Sequence, residues 1–243
     1  MQQAGALLPE PWDKDFGRPR ALDLTDAVVA CLMYIRQNMT QEVIADFFGT
    51  CQSVVSEAVI TFTPLIEQVT APLVPTVEDA VAACADTVVL IDGALWPCWS
   101  WAHHRELWAG KYKTTGNGSL IVSSLVGKVC YVSDPVAGKN HDMAKIDEDV
   151  ERILKAVGDA IGDKGFIGRE DIIAPVRKPA NGELSMNQKV YNSRISSLRA
   201  PVERAIAHLK NWKILFTDYR RPLETFATSF KAAIGLYFLT QTI

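Results

Sequence analysis

Apolar residues in the first third of the chain recur with a helical spacing. Between Leu24 and Val69 they fall three and four positions apart, as at Ala27, Val28 and Cys31. This spacing predicts three amphipathic helices in succession. The prolines of the segment 70–76 cannot continue a helix and favour extended neighbours, so a linker is predicted there.

Strand patterns follow the predicted linker. After a short helical piece, Thr87–Ile91 is β-branched and apolar on both faces, as in a central strand, and is expected to end at Asp92. Ser119–Val126 and Val129–Ser133 flank a glycine-containing turn, which is typical of a hairpin. Three consecutive antiparallel strands are therefore predicted.

A helix and a fourth strand complete this pattern. The segment 140–142 can cap a helix through Met143–Leu154, and a short strand is expected to end at Asp163. Three strands, a helix and a returning strand is the order of the RNase H fold, so an α/β protein with an RNase H-like mixed sheet is predicted. A long loop, a helix containing Arg194–Lys210 and a final apolar helix follow.

Composition limits the protein class. With 243 residues, 48% of them hydrophobic, the chain can bury one substantial core and a small satellite domain. No apolar run approaches the roughly 18 residues that a membrane span needs, so no membrane partner and a cytoplasmic location are expected. The five cysteines form no C-x-x-C pair, which favours reduced thiols over a disulfide framework or a zinc site.

Charge is unevenly distributed along the chain. The formal net charge is −3, yet Ala174–Arg221 contains ten cationic and three acidic residues. Such a segment could bind phosphate groups, although a charge run is more often a solvated face.

One N-terminal motif indicates DNA binding. Gln41, Ala45, Gly49, Val55 and Ser56 have the spacing of a helix-turn-helix and resemble that of phage repressors. The helix from Gln52 would then enter the major groove, with Gln52, Ser53 and Ser56 toward the DNA. An ordinary helical hairpin is the alternative, and the absence of Lys and Arg from this helix weakens the DNA reading.

Three acidic residues are the candidates for chemistry. Asp92 and Asp163 follow predicted strands, and Glu203 lies in a predicted helix. Carboxylates at the ends of adjacent strands, with a third from a helix, can hold two hard cations about 4 Å apart around a phosphate. Asp142 is an alternative second carboxylate, but a helix cap is the favoured role for it.

The blocks around these residues resemble a known family. Asp92-Gly93, Asp163–Phe166 and the spacing of Arg199, Glu203 and Lys210 are similar to the signature blocks of DDE transposases of insertion sequences, including the Harbinger-like branch. The resemblance runs from about Asp23 to the C-terminus. The chain departs from the family pattern at Ala94 and Ser196, which puts activity in question more than fold.

The resemblance implies a function and a set of contacts. It implies a transposase that cleaves transposon ends and transfers the strand, with two Mg²⁺ ions, or Mn²⁺ as a substitute, bound by Asp92, Asp163 and Glu203. It also implies a homo-oligomer on double-stranded DNA, both terminal repeats and target. The cations expected to contact this DNA are Lys111, Arg199, Arg204 and Lys210.

Four segments follow from these interpretations. They are an N-terminal arm (1–22), a small all-α helix-turn-helix DNA-binding domain (23–70), a linker (71–85) and an RNase H-like DDE catalytic domain (86–243). Two alternatives stay open: a DNA-binding derivative whose catalytic site is silent, and a nuclease of the same fold that only hydrolyses.

Overall fold

A computed structural model describes residues 19–99 and 103–242, together with Leu8, Pro11, Trp12 and Gly17. These residues divide into two compact units. The helical unit contains the described residues up to Val74 and those from Leu209 onward, and the sheet unit is Pro75–His208. The C-terminal residues thus group with the N-terminal helices, whereas the domains expected from the sequence place them in the catalytic domain (86–243).

The elements of both units are numbered in chain order. The helices are α1 (Leu24–Gln37), α2 (Gln41–Phe48), α3 (Gln52–Thr70), α4 (Val77–Cys84), α5 (Glu148–Ala156), α6 (Met186–Leu209) and α7 (Phe226–Gln241). The strands are β1 (Val88–Pro97), β2 (Trp108–Ala109), β3 (Thr114–Ser124), β4 (Val129–Val132), β5 (Val136–Ala137), β6 (Asp159–Ile161) and β7 (Ile172–Ile173).

The helical unit is built on α3, which packs against α1 and α7. Val55, Ala58, Val59 and Phe62 are fully buried along one face of α3, as the apolar spacing predicts. Gly49 ends α2 in the left-handed region with φ 62°, a conformation that costs glycine little. The three predicted helices are therefore present, separated by short turns.

The segment Gln52–Cys84 meets the length and composition of a membrane-crossing helix, with a mean hydropathy of 1.2 in its most apolar window. The sequence-based statement that no run approaches this length is therefore wrong. In the structure the segment is not one helix, because a 3-10 turn at Ala71–Leu73 separates α3 from α4. The apolar face of α3 is occupied by packing within its own unit.

The sheet unit contains a mixed sheet with the strand order β2-β3-β1-β6-β7, and β4 and β5 also pair with β3. β1 pairs antiparallel with β3 and parallel with β6, and β6 pairs parallel with β7. Helices α4 and α5 pack together, and the buried core contains Val89, Leu120, Ile153 and Phe166. This α/β architecture with a mixed sheet is consistent with the predicted RNase H-like domain.

Two local predictions are wrong. β1 does not end at Asp92 but continues to Pro97, because β3 pairs with it along this length and Trp96 is buried with a hydrogen bond to Ser119. Asp142 does not cap the following helix. That helix, α5, begins at Glu148, and the Asp147 side chain accepts the hydrogen bond from the backbone N–H of Val150.

Candidate active site

Asp92 and Asp163 lie on neighbouring chain segments of the sheet. Val88 pairs with Asp159 and Leu90 with Ile161 in the parallel ladder between β1 and β6. Continuing this register by two residues sets Asp92 beside Asp163. β6 ends at Ile161, so Asp92 faces a position where the neighbouring strand has stopped and side chains can approach. The predicted proximity of the two carboxylates is therefore supported by the register.

Arg199 of α6 is the ion-pair partner of Asp92. Its Nη2 donates to Oδ2 of Asp92 at 2.7 Å, and the two side chains are only 12% and 10% exposed. Burial raises the pKa of Asp92 to about 6; the Arg199 guanidinium opposes this rise and the Asp163 carboxylate adds to it. The Arg199 Nε is buried and has no hydrogen-bond partner among the described residues. Of the Arg199 donors, Nη2 is the one that holds Asp92.

Glu203 is connected to this pair through Arg199. Its Oε1 lies 3.7 Å from Arg199 Nη1, one helical turn away, and its side chain is 59% exposed. Arg199 therefore makes its shorter contact with Asp92 and a longer one with Glu203, whereas the sequence interpretation gave it a contact with DNA. Within residues 19–99 and 103–242, no group of three acidic, His or Cys side chains is close enough to hold a metal ion.

Lys111 connects two further carboxylates. Its Nζ lies 3.2 Å from Oδ2 of Asp142 and 3.2 Å from Oδ2 of Asp163. Burial lowers the pKa of Lys111, but the two carboxylates outweigh burial and the pKa is raised. Asp163 also accepts a hydrogen bond of 2.7 Å from the backbone N–H of Gly165, and so caps the turn Lys164–Phe166. One oxygen of Asp163 thus serves the turn and the other faces Lys111.

Asp142 is a buried member of this cluster. Its Oδ1 accepts a 2.8 Å hydrogen bond from Lys145, and both side chains are at most 6% exposed. Burial raises the pKa of Asp142, but Lys145 and Lys111 outweigh it, so the pKa is lowered. A Cβ on Gly93 would lie 2.1 Å from Asp142 Oδ1, so only glycine permits this approach beside Asp92. Sequence reasoning missed Lys145, because a lysine after an acidic turn is normally expected to be solvated.

The predicted DNA-contacting residues of the helical unit lie at the start of α3. Gln52 and Ser53 are exposed, and Ser56 is half-buried. Gln52 donates to the side chain of Gln41, the first residue of α2. Neither α2 nor α3 has a basic residue in its last turn, and no Lys or Arg occurs in either helix. These side chains can make hydrogen bonds but supply no positive charge.

The remaining cations predicted to contact DNA lie in and after α6. Arg204 is exposed on the helix next to Glu203, whereas Lys210 follows the end of the helix at Leu209 and is half-buried. Pro201 lies inside α6 between Arg199 and Glu203. The sequence interpretation placed Lys210 within this helix, but the helix ends one residue before it.

Most of the sequence that forms this cluster matches a known protein family. The family described as DDE superfamily endonuclease matches residues 91–238, which is more than half of the chain. The chain belongs to the DDE superfamily of endonucleases. The match begins one residue before Asp92 and includes Asp163 and Glu203, the residues selected from the sequence.

Two curated relatives of this DDE endonuclease are named as transposases. A protein of Streptomyces albus G, named for insertion sequence element IS112, is 25% identical over 199 residues, which cover 82% of this chain and 73% of the relative. A protein of Microchaete diplosiphon, named for insertion sequence element IS702, is 33% identical over 81 residues, covering 32% of this chain and 29% of the relative. The DDE endonuclease is therefore similar to insertion-sequence transposases.

Proposed function

We propose that this DDE endonuclease is a transposase that cleaves DNA at transposon ends and joins the cleaved strand to target DNA. The observation that carries the proposal is the parallel register of β1 and β6, which, continued two residues beyond the end of β6, sets Asp163 beside Asp92 in a chain of this superfamily. Two carboxylates held this close favour a bound cation, because they repel each other without one. The transposase names of the relatives supply the substrate class.

Divalent metal is proposed at Asp92, Asp163 and Glu203. Carboxylate oxygens are the ligands that Mg²⁺ and Mn²⁺ prefer, so the donor chemistry fits two Mg²⁺ ions. Lys111 and Arg199 now neutralise Asp163 and Asp92. Glu203 is exposed and lies one turn from Arg199, so in this proposal its side chain turns toward the two aspartates when metal binds. When bound, such metals activate a water or a 3′ hydroxyl and stabilise charge at the phosphate.

The protein's own cations have distinct roles in the proposed reaction. Arg199 fixes the carboxylate of Asp92 through the hydrogen bond that its Nη2 donates. Lys111 orients Asp163 and carries a positive charge that offsets charge at the scissile phosphate. Asp142 and the buried Lys145 hold Lys111 in place, which makes Asp142 a positioning residue in this scheme. Asp142 as the second metal ligand remains the alternative assignment.

The helical segment 23–70 is proposed to recognise the terminal repeats. The left-handed Gly49 between α2 and α3, with buried Ala45 and Val55, supports the helix-turn-helix interpretation. Gln52, Ser53 and Ser56 would then read or contact the DNA, and Arg204 and Lys210 would contact its phosphates. Two transposon ends require two active sites, so a homo-oligomer on the DNA is proposed, in the cytoplasm.

A plasmid that carries the terminal sequences of the encoding element tests the proposal. We expect purified protein with Mg²⁺ to cut at the ends and to join them to a second plasmid, and EDTA to abolish both reactions. Cutting without joining would identify a nuclease of the same fold that only hydrolyses. Sequence-specific binding without cutting, in Mg²⁺ and in Mn²⁺, would identify a silent DNA-binding derivative.

A further inference from the structure

A cleft of about 680 Å³ opens beside Asp163 in the sheet unit and has a basic lining. We call it the basic cleft and define it by the cations that line it together with Asp142 and Asp163. These cations are Lys111, Lys139, Lys145, Lys164 and Arg177. Five cationic side chains against two carboxylates give this cleft a positive charge in a chain whose net charge is −3. Such a cleft attracts a polyanion.

The outer cations of the basic cleft are not neutralised. Lys139, Lys164 and Arg177 are exposed, and none of them makes an ion pair among the described residues. Elsewhere in the same unit, some surface arginines do form ion pairs, as Arg152 does with Glu78 and Arg169 does with Glu151. Three exposed cations without an ion pair in the described part of the chain, which line one cleft together with Lys111 and Lys145, point to an anionic ligand.

The backbone holds these cations in position. The backbone N–H of Lys139 donates to the carbonyl of Glu106 at 3.0 Å. Val176, next to Arg177, exchanges hydrogen bonds of 2.8 and 2.9 Å with the Asn192 side chain of α6. Lys164 directly follows Asp163 in the turn that Asp163 caps. The charged groups thus extend from a fixed frame, as a surface that follows a phosphate backbone requires.

A second cleft, of about 460 Å³, lies on the α6 side of the same carboxylate. We call it the helix cleft; Lys189, Ser196 and Arg199 line it, and it shares only Asp163 and Lys164 with the basic cleft. Two separate clefts therefore meet at one of the proposed metal ligands. Joining requires two DNA backbones at one site, since the attacking and leaving oxygens lie in line across the phosphorus.

We infer that the basic cleft is a second DNA site, which binds the phosphate backbone of the DNA to which the cleaved end is joined. The inference rests on the proposed transposase function. The helix cleft, which contains Arg199 beside Asp92, then holds the end that is cleaved. Target DNA of arbitrary sequence is bound mainly through its phosphates, and the basic cleft has the larger excess of cations over acids.

The double variant Lys139→Ala/Arg177→Ala tests this site by DNA binding. The probe is a fluorescent 30-base-pair duplex of arbitrary sequence, and affinity is measured between about 50 and 200 mM salt. Loss of two phosphate contacts should lower the slope of log affinity against log salt by about 2. Lys128→Ala/Lys155→Ala removes two exposed cations outside both clefts and should leave the slope unchanged. Lys139→Arg/Arg177→Lys retains the charge and should retain the slope.

Assays of cleavage and joining then show whether the basic cleft binds the target DNA or the transposon end that is cleaved. The Ala double variant should cut transposon ends within about twofold of wild type, while joining to a second plasmid falls several-fold more. An unchanged salt slope, or an equal change in the Lys128/Lys155 control, would show that the basic cleft does not bind DNA. A parallel loss of cutting and joining would overturn the target assignment, because the cleft would then hold the end. If wild type neither cuts nor joins, the proposed function fails, and the binding measurement still decides whether the cleft binds DNA.

Discussion

Arg199 donates a 2.7 Å hydrogen bond to the carboxylate of Asp92, although 107 residues separate them along the chain. This contact attaches α6 to the central strand β1 within the sheet unit. It also places a guanidinium beside the carboxylate of Asp92, while Lys111 faces the carboxylate of Asp163. The same ion pair therefore contributes to the fold and to the proposed chemistry.

Replacing Arg199 should destabilise the protein. Arg199→Ala leaves the Asp92 carboxylate buried without its partner, and breaking a buried pair costs about 3 kcal/mol. Urea unfolding of the metal-free protein at pH 7 measures this loss. Arg204→Ala, on the exposed side of the same helix, is the control and should change the free energy of unfolding by less than about 0.5 kcal/mol. Equal effects of the two substitutions would show that the pair does not stabilise the fold.

The two buried aspartates should respond to pH in opposite directions. Burial raises the pKa of Asp92 to about 6, so its favourable contribution is present below pH 4 and is lost as pH rises through 6. Relative to wild type, Asp92→Asn should gain about 3 kcal/mol of stability between pH 4 and pH 8, at about 1.4 kcal/mol for each unit of pKa change.

Asp142 provides the comparison for this pH series. Lys145 and Lys111 lower its pKa against the effect of burial, so its contribution is present at neutral pH and is lost as pH falls through the lowered pKa. Asp142→Asn should therefore lose stability at pH 7 and approach wild type in acid. Urea unfolding of metal-free protein across this pH range measures both variants. Parallel curves for wild type and Asp92→Asn would contradict the assignment of the raised pKa.

Gly93 should not tolerate a side chain. Its Cβ in Gly93→Ala would lie 2.1 Å from Asp142 Oδ1, so the carboxylate must move away from Lys145. We expect a loss of about 2 kcal/mol in unfolding free energy, in the range of overpacked cores. Gly110→Ala has no neighbour within 4 Å and is the matched control. A Gly93 variant as stable as the Gly110 variant would show that Asp142 can leave its place freely.

The order of strands and helices was predictable because apolar periodicity is local. The return of β6 beside β1, which sets Asp163 near Asp92, followed from that order and from the family blocks, whereas the position of Glu203 relative to the two aspartates stays a prediction. The cap of α5 was not predictable in detail, because Asp142 and Asp147 both precede the same apolar run and only the fold decides between them. Local sequence patterns also do not predict an ion pair between residues as distant as Asp92 and Arg199, or the burial of Lys145 against Asp142.

Divalent metal should stabilise the wild-type protein. Binding to the native state adds about 2.7 kcal/mol when the ion is present at a hundred times its dissociation constant. The melting temperature should therefore rise with Mg²⁺ or Mn²⁺, whereas Asp92→Asn/Asp163→Asn should show little of this rise. The exposed Glu170→Gln variant should respond like wild type. An undiminished rise in the double aspartate variant would place the bound metal elsewhere.

Asp92, Asp163 and Glu203 are proposed to act together in cleavage. The most direct measurement is the single-turnover rate of end cleavage in Mg²⁺ for Asp92→Asn, Asp163→Asn and Glu203→Gln, with binding of the same DNA measured in parallel. Each variant should lose more than about a hundredfold in rate, beyond the loss typical of residues that only support metal ligands, and should retain DNA binding. Asp142→Asn should keep measurable cleavage. If Asp163→Asn cleaves normally and Asp142→Asn is inactive, Asp142 and not Asp163 is the second catalytic carboxylate. Normal cleavage by Asp92→Asn or Glu203→Gln would contradict the proposed role of these residues in cleavage.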